Sequence, residues 1–519
     1  MKKIISLVLC LALAITLVAC GGGSKTDAPQ DNPTQPAASQ NDVETGAVLT
    51  DLGYPIDFSE DPYEVRMVVT LQTGVPSQEG IDRITALINE HTLRDLNMTL
   101  KLEVLPFAQY YQTIPLELAN MEKIDLLALP YEYGIQYTGF GYFNDLEPLL
   151  ETYGPHILAT YPSEAVAKSC TVNDTLFGLP VHKENSIQRT VIFRTDILEK
   201  YQIDVSSIST LEDLNEIFEI VAENEPDMWV TVMGKDVGGF PMMDASLSTV
   251  GTCLMDMENS SVVENYYASE EFAEWISMTR EWNQKGWINP AAATDDQYYL
   301  TFIMGQCFSI IRDYGDPLQE PGLEQMCGFD LTLARLTDPY CTTQSCAPWS
   351  YAIPAGSQAP EKAMIMLDYL MTQPELMNLL NWGEEGVDYV VKGDVLDYPE
   401  GVDATTVGYN FRQGWILPNQ FLCTPWITDG PNIYNEVKAY NETAINSIAL
   451  GFNFDPSAVV NEIAAVANVR DEYYNALNTG SVDPEVYLPE FLQALDDAGM
   501  QTIVDEVQRQ LDAFLASKN

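Results

Sequence analysis

The strongest restriction on what this chain can fold into is an alternation of hydrophobic period. Short apolar runs, VRMVVTL at 65–71, MTLKLEVL at 98–105 and IDLLALP at 124–130, are separated by stretches whose apolar residues recur every three or four positions, as at Ile81, Ile84, Leu87 and Ile88. A strand buries residues two apart and a helix buries residues three or four apart, so the two kinds of segment are not interchangeable. Strands that alternate with helices imply a mainly parallel sheet with helices on both faces, an α/β fold. The helical stretch around 110–121 contains Pro115, which predicts a kink or an early end there.

The pattern continues. Ser209 and Glu212 in STLEDL predict a capping box ahead of a helix through Ile217, Ile220 and Val221. Pro360 sits at the first turn of a helix whose inner face is Ala363, Met364, Leu367 and Leu370. From about residue 432 the pattern is almost wholly helical, through Val459, Ile463 and Val466 to Val504, Val507 and Leu511. About 460 of the 519 residues follow position 55, which is enough chain for two large cores.

The chain begins differently. Lys2 and Lys3 precede an apolar run over 4–19 that ends at Cys20, followed by three glycines. A membrane-spanning helix needs about 20 apolar residues, and this run has the layout of a secretory signal instead. Leu17-Val18-Ala19-Cys20 resembles the lipobox of bacterial lipoproteins, which makes 1–19 a signal peptide and Cys20 the lipidated first residue of the mature chain. An ordinary signal peptide is the alternative. The stretch after it, GGGSKTDAPQDNPTQPAASQND, has almost no large apolar residue, so 20–55 is expected to be a flexible tether to the membrane.

Acidic residues outnumber basic ones by 76 to 25, a net charge of −51. Such a field repels phosphate backbones, so nucleic acid is excluded as a partner. Beyond Cys20, seven cysteines remain, of which Cys341 and Cys346 in CTTQSC can close a small loop while the rest read as buried thiols. With three histidines, no CxxC, no G-x-S-x-G elbow and no phosphate loop, neither a metal nor a cofactor is expected.

KIDLLALP, YFNDLEPLLETYGP, TLFGLPV, RTVIFRTDILEKY and STLEDLNEIFEIVAENEP follow one another in this order, with WSYAIPAGSQAPEKAMIMLDYL further on. In this succession the chain resembles the extracellular solute-binding proteins of bacterial ABC transporters, carbohydrate-type family 1, in the lipoprotein subgroup with a helical C-terminal extension. The resemblance implies a two-lobed periplasmic-binding-protein-like fold of type II, with discontinuous lobes and a hinge. It puts 56–183 with 307–374 in an N-terminal lobe and 184–306 with 375–519 in a C-terminal lobe, with crossings near 180–189, 307–314 and 372–375. It also implies a monomeric, non-catalytic lipoprotein on the outer side of the cell membrane. Such a protein captures a sugar or oligosaccharide by lobe closure and delivers it to the permease subunits.

A sugar offers hydroxyls and apolar C–H faces, so its site combines carboxylates and amides with flat aromatic rings. Tyr131, Glu132 and Tyr133 follow the strand IDLLALP, at the edge where open α/β sheets hold ligands. Glu184 and Asn185 fall at the first expected crossing, and Arg312 and Tyr314, flanking Asp313, at the second. Trp349 precedes YAIPA, and Trp382 lies in a later loop, as do Trp415 and Trp426. These ligand-binding candidates all have a packing alternative. Trp275, Trp282 and Trp287 read as packing, and Arg194 as the partner of Asp196 in a turn. A secreted glycosidase is the competing class, although no carboxylate pair stands out for acid and base work; a peptide-binding or sensing protein is the third.

Overall fold

The computed structural model describes residues 47–72, 74–234, 242–295, 297–314, 317 and 319–518. The alternating runs near the start of this body form the strands Tyr63–Leu71, Met98–Pro106 and Leu126–Pro130, with helices Gln78–Leu96 and Phe107–Ala119 between them. Tyr63–Leu71 pairs in parallel with both of the others. The antiparallel strand Trp349–Ala352 and the short edge Leu179–Pro180 complete a five-stranded sheet. Helix Gln78–Leu96 starts where the Ser77 hydroxyl accepts the Gly80 N–H at 3.1 Å, and it stops at Asn97 in the left-handed conformation, φ 52°. Its buried face is Ile81, Ile84 and Ile88, the stripe that the period specifies.

Pro115 neither ends nor shortens its helix, which runs to Ala119. Lacking an N–H, proline leaves the Tyr111 carbonyl, four residues back, without its helical donor. The Tyr133 hydroxyl donates to that carbonyl instead, in a long contact of 3.4 Å.

A second sheet, ordered Trp229–Val232, Cys307–Tyr314, Gln188–Arg194, Leu331–Arg335, lies in the other lobe. Its side chains divide between two apolar layers. Val191, Phe193, Phe308 and Ile311 face the large core formed with the C-terminal helices Val460–Asn478, Pro484–Ala498 and Met500–Ser517. Ile192, Ile310, Val232 and Cys307 face a smaller cluster around Phe302. Trp275, Trp282 and Trp287 are buried in the large core, with the first two indole N–H groups donating to Asn478 and Asn215 at 2.7 and 2.8 Å. Arg194 holds Asp196 through two hydrogen bonds of 3.0 and 2.6 Å, as the sequence indicates. The helix after STLEDL begins only at Leu214. Asp213, rather than a Ser209–Glu212 box, secures that turn by accepting the N–H groups of Ser209 and Thr210, both at 2.9 Å.

These sheets revise the expected lobe boundaries. Strand Cys307–Tyr314 pairs with Gln188–Arg194 in the second sheet, so 307–335 does not join the N-terminal lobe and 307–314 is not a crossing. Conversely, Leu376, Met377, Leu380, Phe411 and Trp426 pack in the first core, so 372–375 only separates the helices Pro360–Thr372 and Pro374–Trp382. An apolar run carries no label for the sheet it joins, because its pairing partner is distant in sequence. The tether boundary also moves. Val48–Leu49 and Pro55–Ile56 form a small hairpin, and Tyr54 inside it is buried, its hydroxyl donating to Asp368 at 2.6 Å. Cys20 and the tether up to residue 46 lie outside the described residues. Among the described residues, no helix is long and apolar enough to cross a membrane.

Three chain segments meet side by side between the lobes. Ile187 and Tyr340 exchange backbone hydrogen bonds of 2.9 Å. Tyr340–Cys341 runs parallel to Ile445–Asn446, with Ile445 N–H donating to Pro339 at 2.8 Å and Ser447 N–H to Cys341 at 2.9 Å. Immediately after the middle segment, Cys341 and Cys346 form a disulfide across a sequence separation of five, with both residues buried. Cys170, Cys253, Cys307 and Cys423 are buried free thiols, and Cys327 is half-buried. A loop this short contributes about 2 kcal/mol by the chain-entropy relation. The double variant Cys341→Ser, Cys346→Ser is therefore expected to lower the unfolding free energy by about that amount in denaturant titration.

Candidate functional site

Leu71, Pro106 and Pro130 end three parallel strands on one edge of the first sheet, and Trp349, opposite Pro130 in register, begins the antiparallel strand on that edge. Aromatic side chains follow these ends. Phe107, Tyr110 and Tyr111 come directly after Met98–Pro106, Tyr131 and Tyr133 after Leu126–Pro130, and Trp415 lies in the turn Gly414–Ile416. The Gln72 N–H donates to the side chain of Gln413 at 3.2 Å, and the Tyr351 hydroxyl to the Ile416 carbonyl at 3.0 Å, so the Trp415 turn is tied to two strands of the sheet.

The rings form a continuous wall. Trp349 lies 6.0 Å from Phe107, 6.2 Å from Tyr110 and 6.0 Å from Trp415 between ring centroids. From Phe107 the series continues to Tyr111 at 5.9 Å, then Tyr133 at 5.4 Å and Tyr137 at 5.1 Å. Tyr110 is the buried end of the wall; its hydroxyl donates to the Ala128 carbonyl, and burial raises its phenol well above the ordinary range. Trp349 is 8% exposed, Phe107 and Trp415 are half-buried, and Tyr111 is open to solvent at 39%. None of these side chains carries a charge. The surface can stack on the apolar face of a flat ligand and offers little to an anion.

The structure does not gather all the residues that the sequence singles out. Tyr131 is buried and donates to Asn453 at 2.5 Å; Asn453 in turn donates to the carbonyls of Ser169 and Thr171, so Tyr131 belongs to a structural network. Glu132 is exposed in the first turn of helix Tyr131–Thr138, and Tyr133 is part of the wall. Glu184 is buried against Lys183 and accepts from Gln420 at 3.0 Å, while Asn185 receives the Ser345 hydroxyl on its carbonyl at 2.8 Å. Both are engaged in the hinge. Arg312 lies over the Tyr299 ring at 5.1 Å within the second lobe. Asp313 pairs with Arg189 at 3.1 Å and accepts the Tyr340 hydroxyl, also at 3.1 Å. The Tyr314 backbone pairs with Gln188, and its side chain lies outside the described residues. Trp382 is a core residue, 4% exposed, its ring tilted against that of Trp426 at 5.0 Å between centroids.

The sequence reading omitted Phe107, Tyr110 and Tyr111, although FAQYY stands directly after a strand just as YEY does. The rule that selected Tyr131 applies equally there. No group of three His, Cys, Asp or Glu side chains suited to a metal occurs among the described residues. His182 is held neutral, its imidazole lowered to about 3 by burial and by the Lys438 charge, with Nε2 2.7 Å from the Thr160 hydroxyl. Two cavities, of ≈ 210 and ≈ 170 Å³, open in the second lobe, one beside Arg189 and Glu271 and the other beside Ser248 and Tyr266. No residue of the aromatic wall lines either of these two, and the wall itself occupies the carboxyl edge where α/β sheets hold ligands.

Residues 448–516, which take in all but the last residue of the three C-terminal helices, match a family described as a domain of unknown function, DUF3502. The chain is 27% identical over 455 residues to a carbohydrate ABC transporter substrate-binding protein of Streptococcus pneumoniae, covering 85% of this chain and 89% of that one. Its fold is similar to that of the N-glycan transport solute binding protein NgtS of the same organism, at 23% identity and a TM-score of 0.78 over 88% of this chain and 100% of that one. The complex of NgtS with Man5GlcNAc gives 0.69, at 23% identity over 88% of this chain and 99% of the other. Over most of its length the chain is thus similar in sequence to a carbohydrate ABC transporter substrate-binding protein, and it shares the two-lobed type II α/β fold of solute-binding proteins.

Proposed function

We propose that this chain is the substrate-binding component of a carbohydrate ABC importer, anchored outside the cell through Cys20, and that it captures a neutral oligosaccharide and hands it on chemically unchanged. The observation that carries the proposal is the uncharged aromatic wall from Trp415 through Trp349 and Phe107 to Tyr133, at the carboxyl edge of the first sheet. A pyranose has an apolar C–H face that costs free energy when wet, and an indole or phenol ring covers it without demanding a hydrogen bond. The three adjacent segments at Ile187, Tyr340 and Ile445 act as the hinge. A small rotation there brings the second lobe over the wall and removes the bound sugar from water. A carbohydrate-binding relative that matches most of the chain supports the same ligand class. The permease subunits receive the closed, loaded form.

Five experiments test this reading. At 100 times its dissociation constant, a glycan such as Man5GlcNAc should stabilise the protein by about 2.7 kcal/mol in a thermal-shift assay. Trp415→Ala should weaken that binding by roughly 1 to 3 kcal/mol with little change in the ligand-free melting temperature, because Trp415 is half-buried in a surface turn. Trp349→Ala should weaken binding too, but at a cost of about 3 to 5 kcal/mol in stability, since it also packs against Phe107, Tyr110 and Trp415. If Trp415→Ala leaves glycan affinity untouched, the wall is packing only. Small-angle scattering should show a smaller radius of gyration with saturating glycan, and an unchanged curve would count against hinge closure. Cys20→Ser should move the protein from the membrane to the soluble fraction; retention after a carbonate wash would sink the lipid anchor.

A further inference from the structure

The aromatic series does not stop at the carboxyl edge. From Tyr137 the rings continue to Tyr142 at 6.0 Å and to Phe140 at 6.4 Å, and these two lie 5.6 Å from each other. Tyr133 and Tyr137 stand four residues apart in helix Tyr131–Thr138, so they share one of its faces. The chain after that helix reaches the opposite edge of the first sheet. There the Tyr142 carbonyl accepts the Ala355 N–H at 2.8 Å and the Asn144 N–H donates to Ile353 at 2.9 Å, just past the strand Trp349–Ala352 whose Trp349 end is at the carboxyl edge. The rings therefore run in single file from the wall along one flank of the first lobe.

The far end of this file is open to solvent and fixed in place. Phe140 is 65% exposed, while Tyr137 and Tyr142 are half-buried. A tight turn holds Phe140, whose N–H donates to the Tyr137 carbonyl at 3.1 Å, and the Gly141 N–H donates to Thr138 at 2.9 Å with Gly141 at φ 71°. A single exposed phenylalanine is unremarked on a protein surface. Phe140 differs in that it prolongs, ring by ring, a row that begins at Trp415 and Trp349.

We propose, resting on the carbohydrate reading above, that Tyr137, Phe140 and Tyr142 form an outer binding strip for the far end of a neutral oligosaccharide whose near end stacks on Trp349 and Trp415. The strip is continuous with the wall, so a glycan extended along the wall meets the next ring without a gap. It is uncharged on a chain of net charge −51, which disfavours an anionic occupant. Its rings suit the apolar face of a pyranose, and two phenol hydroxyls add hydrogen-bonding groups at their edges. Three part-exposed rings of at most about 250 Å² each fall short, on their own, of the roughly 800 Å² per partner of a standard protein interface. A narrow glycan fits the track better than a folded partner does. Two stretches of one glycan held on the same lobe bind as linked modules, so the strip favours long chains and leaves short ones unaffected.

The test uses the full mature chain in calorimetry against a short and a long member of four neutral series: mannotriose and Man5GlcNAc, maltotriose and maltoheptaose, cellotriose and cellohexaose, xylotriose and xylohexaose. The long member of the bound series is expected to bind more tightly than the short one. Phe140→Ala should weaken the long glycan by roughly three- to tenfold, the size of one lost stacking contact, with the short glycan and the ligand-free melting temperature unchanged. Trp415→Ala, at the near end, should weaken both. If Phe140→Ala melts early, Phe140→Leu decides, because it keeps an apolar side chain and removes the flat ring: a loss confined to the long glycan upholds the strip, and any other pattern overturns it. A wild type that binds the short member as tightly as the long one overturns the strip and leaves the carbohydrate reading standing, as does a Phe140→Ala that changes neither affinity or both equally. A wild type that sediments as a dimer, dissociated by Phe140→Ala at unchanged glycan affinity, overturns the strip in favour of a contact between copies. A wild type silent to every sugar fails the carbohydrate reading before any variant is made, and the strip falls with it.

Discussion

Tyr340 is one of the places where the two halves of the molecule are held to one another. Its backbone exchanges hydrogen bonds with Ile187 on one side, and its segment runs parallel to Ile445–Asn446 on the other. Its hydroxyl reaches Asp313 at 3.1 Å, and its ring is buried in the second core. Each lobe has its own sheet and its own apolar core, so the chain passes between them through a few extended residues rather than through a shared interior. Such an arrangement separates two demands. The cores can be rigid while the connection bends, since rotation about a few backbone dihedrals disturbs no packed side chain.

The local half of this architecture was readable from sequence and the non-local half was not. The strands at 63–71, 98–106 and 126–130, the helix after Pro360, the buried tryptophans and the Arg194–Asp196 pair all follow from period or from neighbours within a few residues. The assignment of Cys307–Tyr314 to the second sheet and of 376–426 to the first core depends on partners more than a hundred residues away, which periodicity does not encode. The same limit governs the site. Tyr133 and Trp349 stand at strand ends and join the aromatic wall, whereas Glu184, Asn185 and Trp382 have a suitable chemical type but are committed to the hinge or the core.

The electrostatics fit a neutral ligand. A chain with net charge −51 surrounds itself with a strongly negative field, and its aromatic wall contributes no countercharge. Stacking is indifferent to that field, because a sugar face carries no net charge to be attracted or repelled. Under the proposed role, acidity acts as a solubility device and leaves stacking undisturbed.

Pro115 gives one feature of the wall an unusual origin. By lacking an N–H, it withdraws a rung from the helix and leaves the Tyr111 carbonyl facing a tyrosine from another element. The helix is locally weaker, and the aromatic surface gains an anchor for Tyr133 that an unbroken helix would not supply. Selection for a stiffer helix and selection for a well-placed ring therefore pull in opposite directions at this position. A residue that looks like a flaw by helix rules serves as a joint between two elements of the wall.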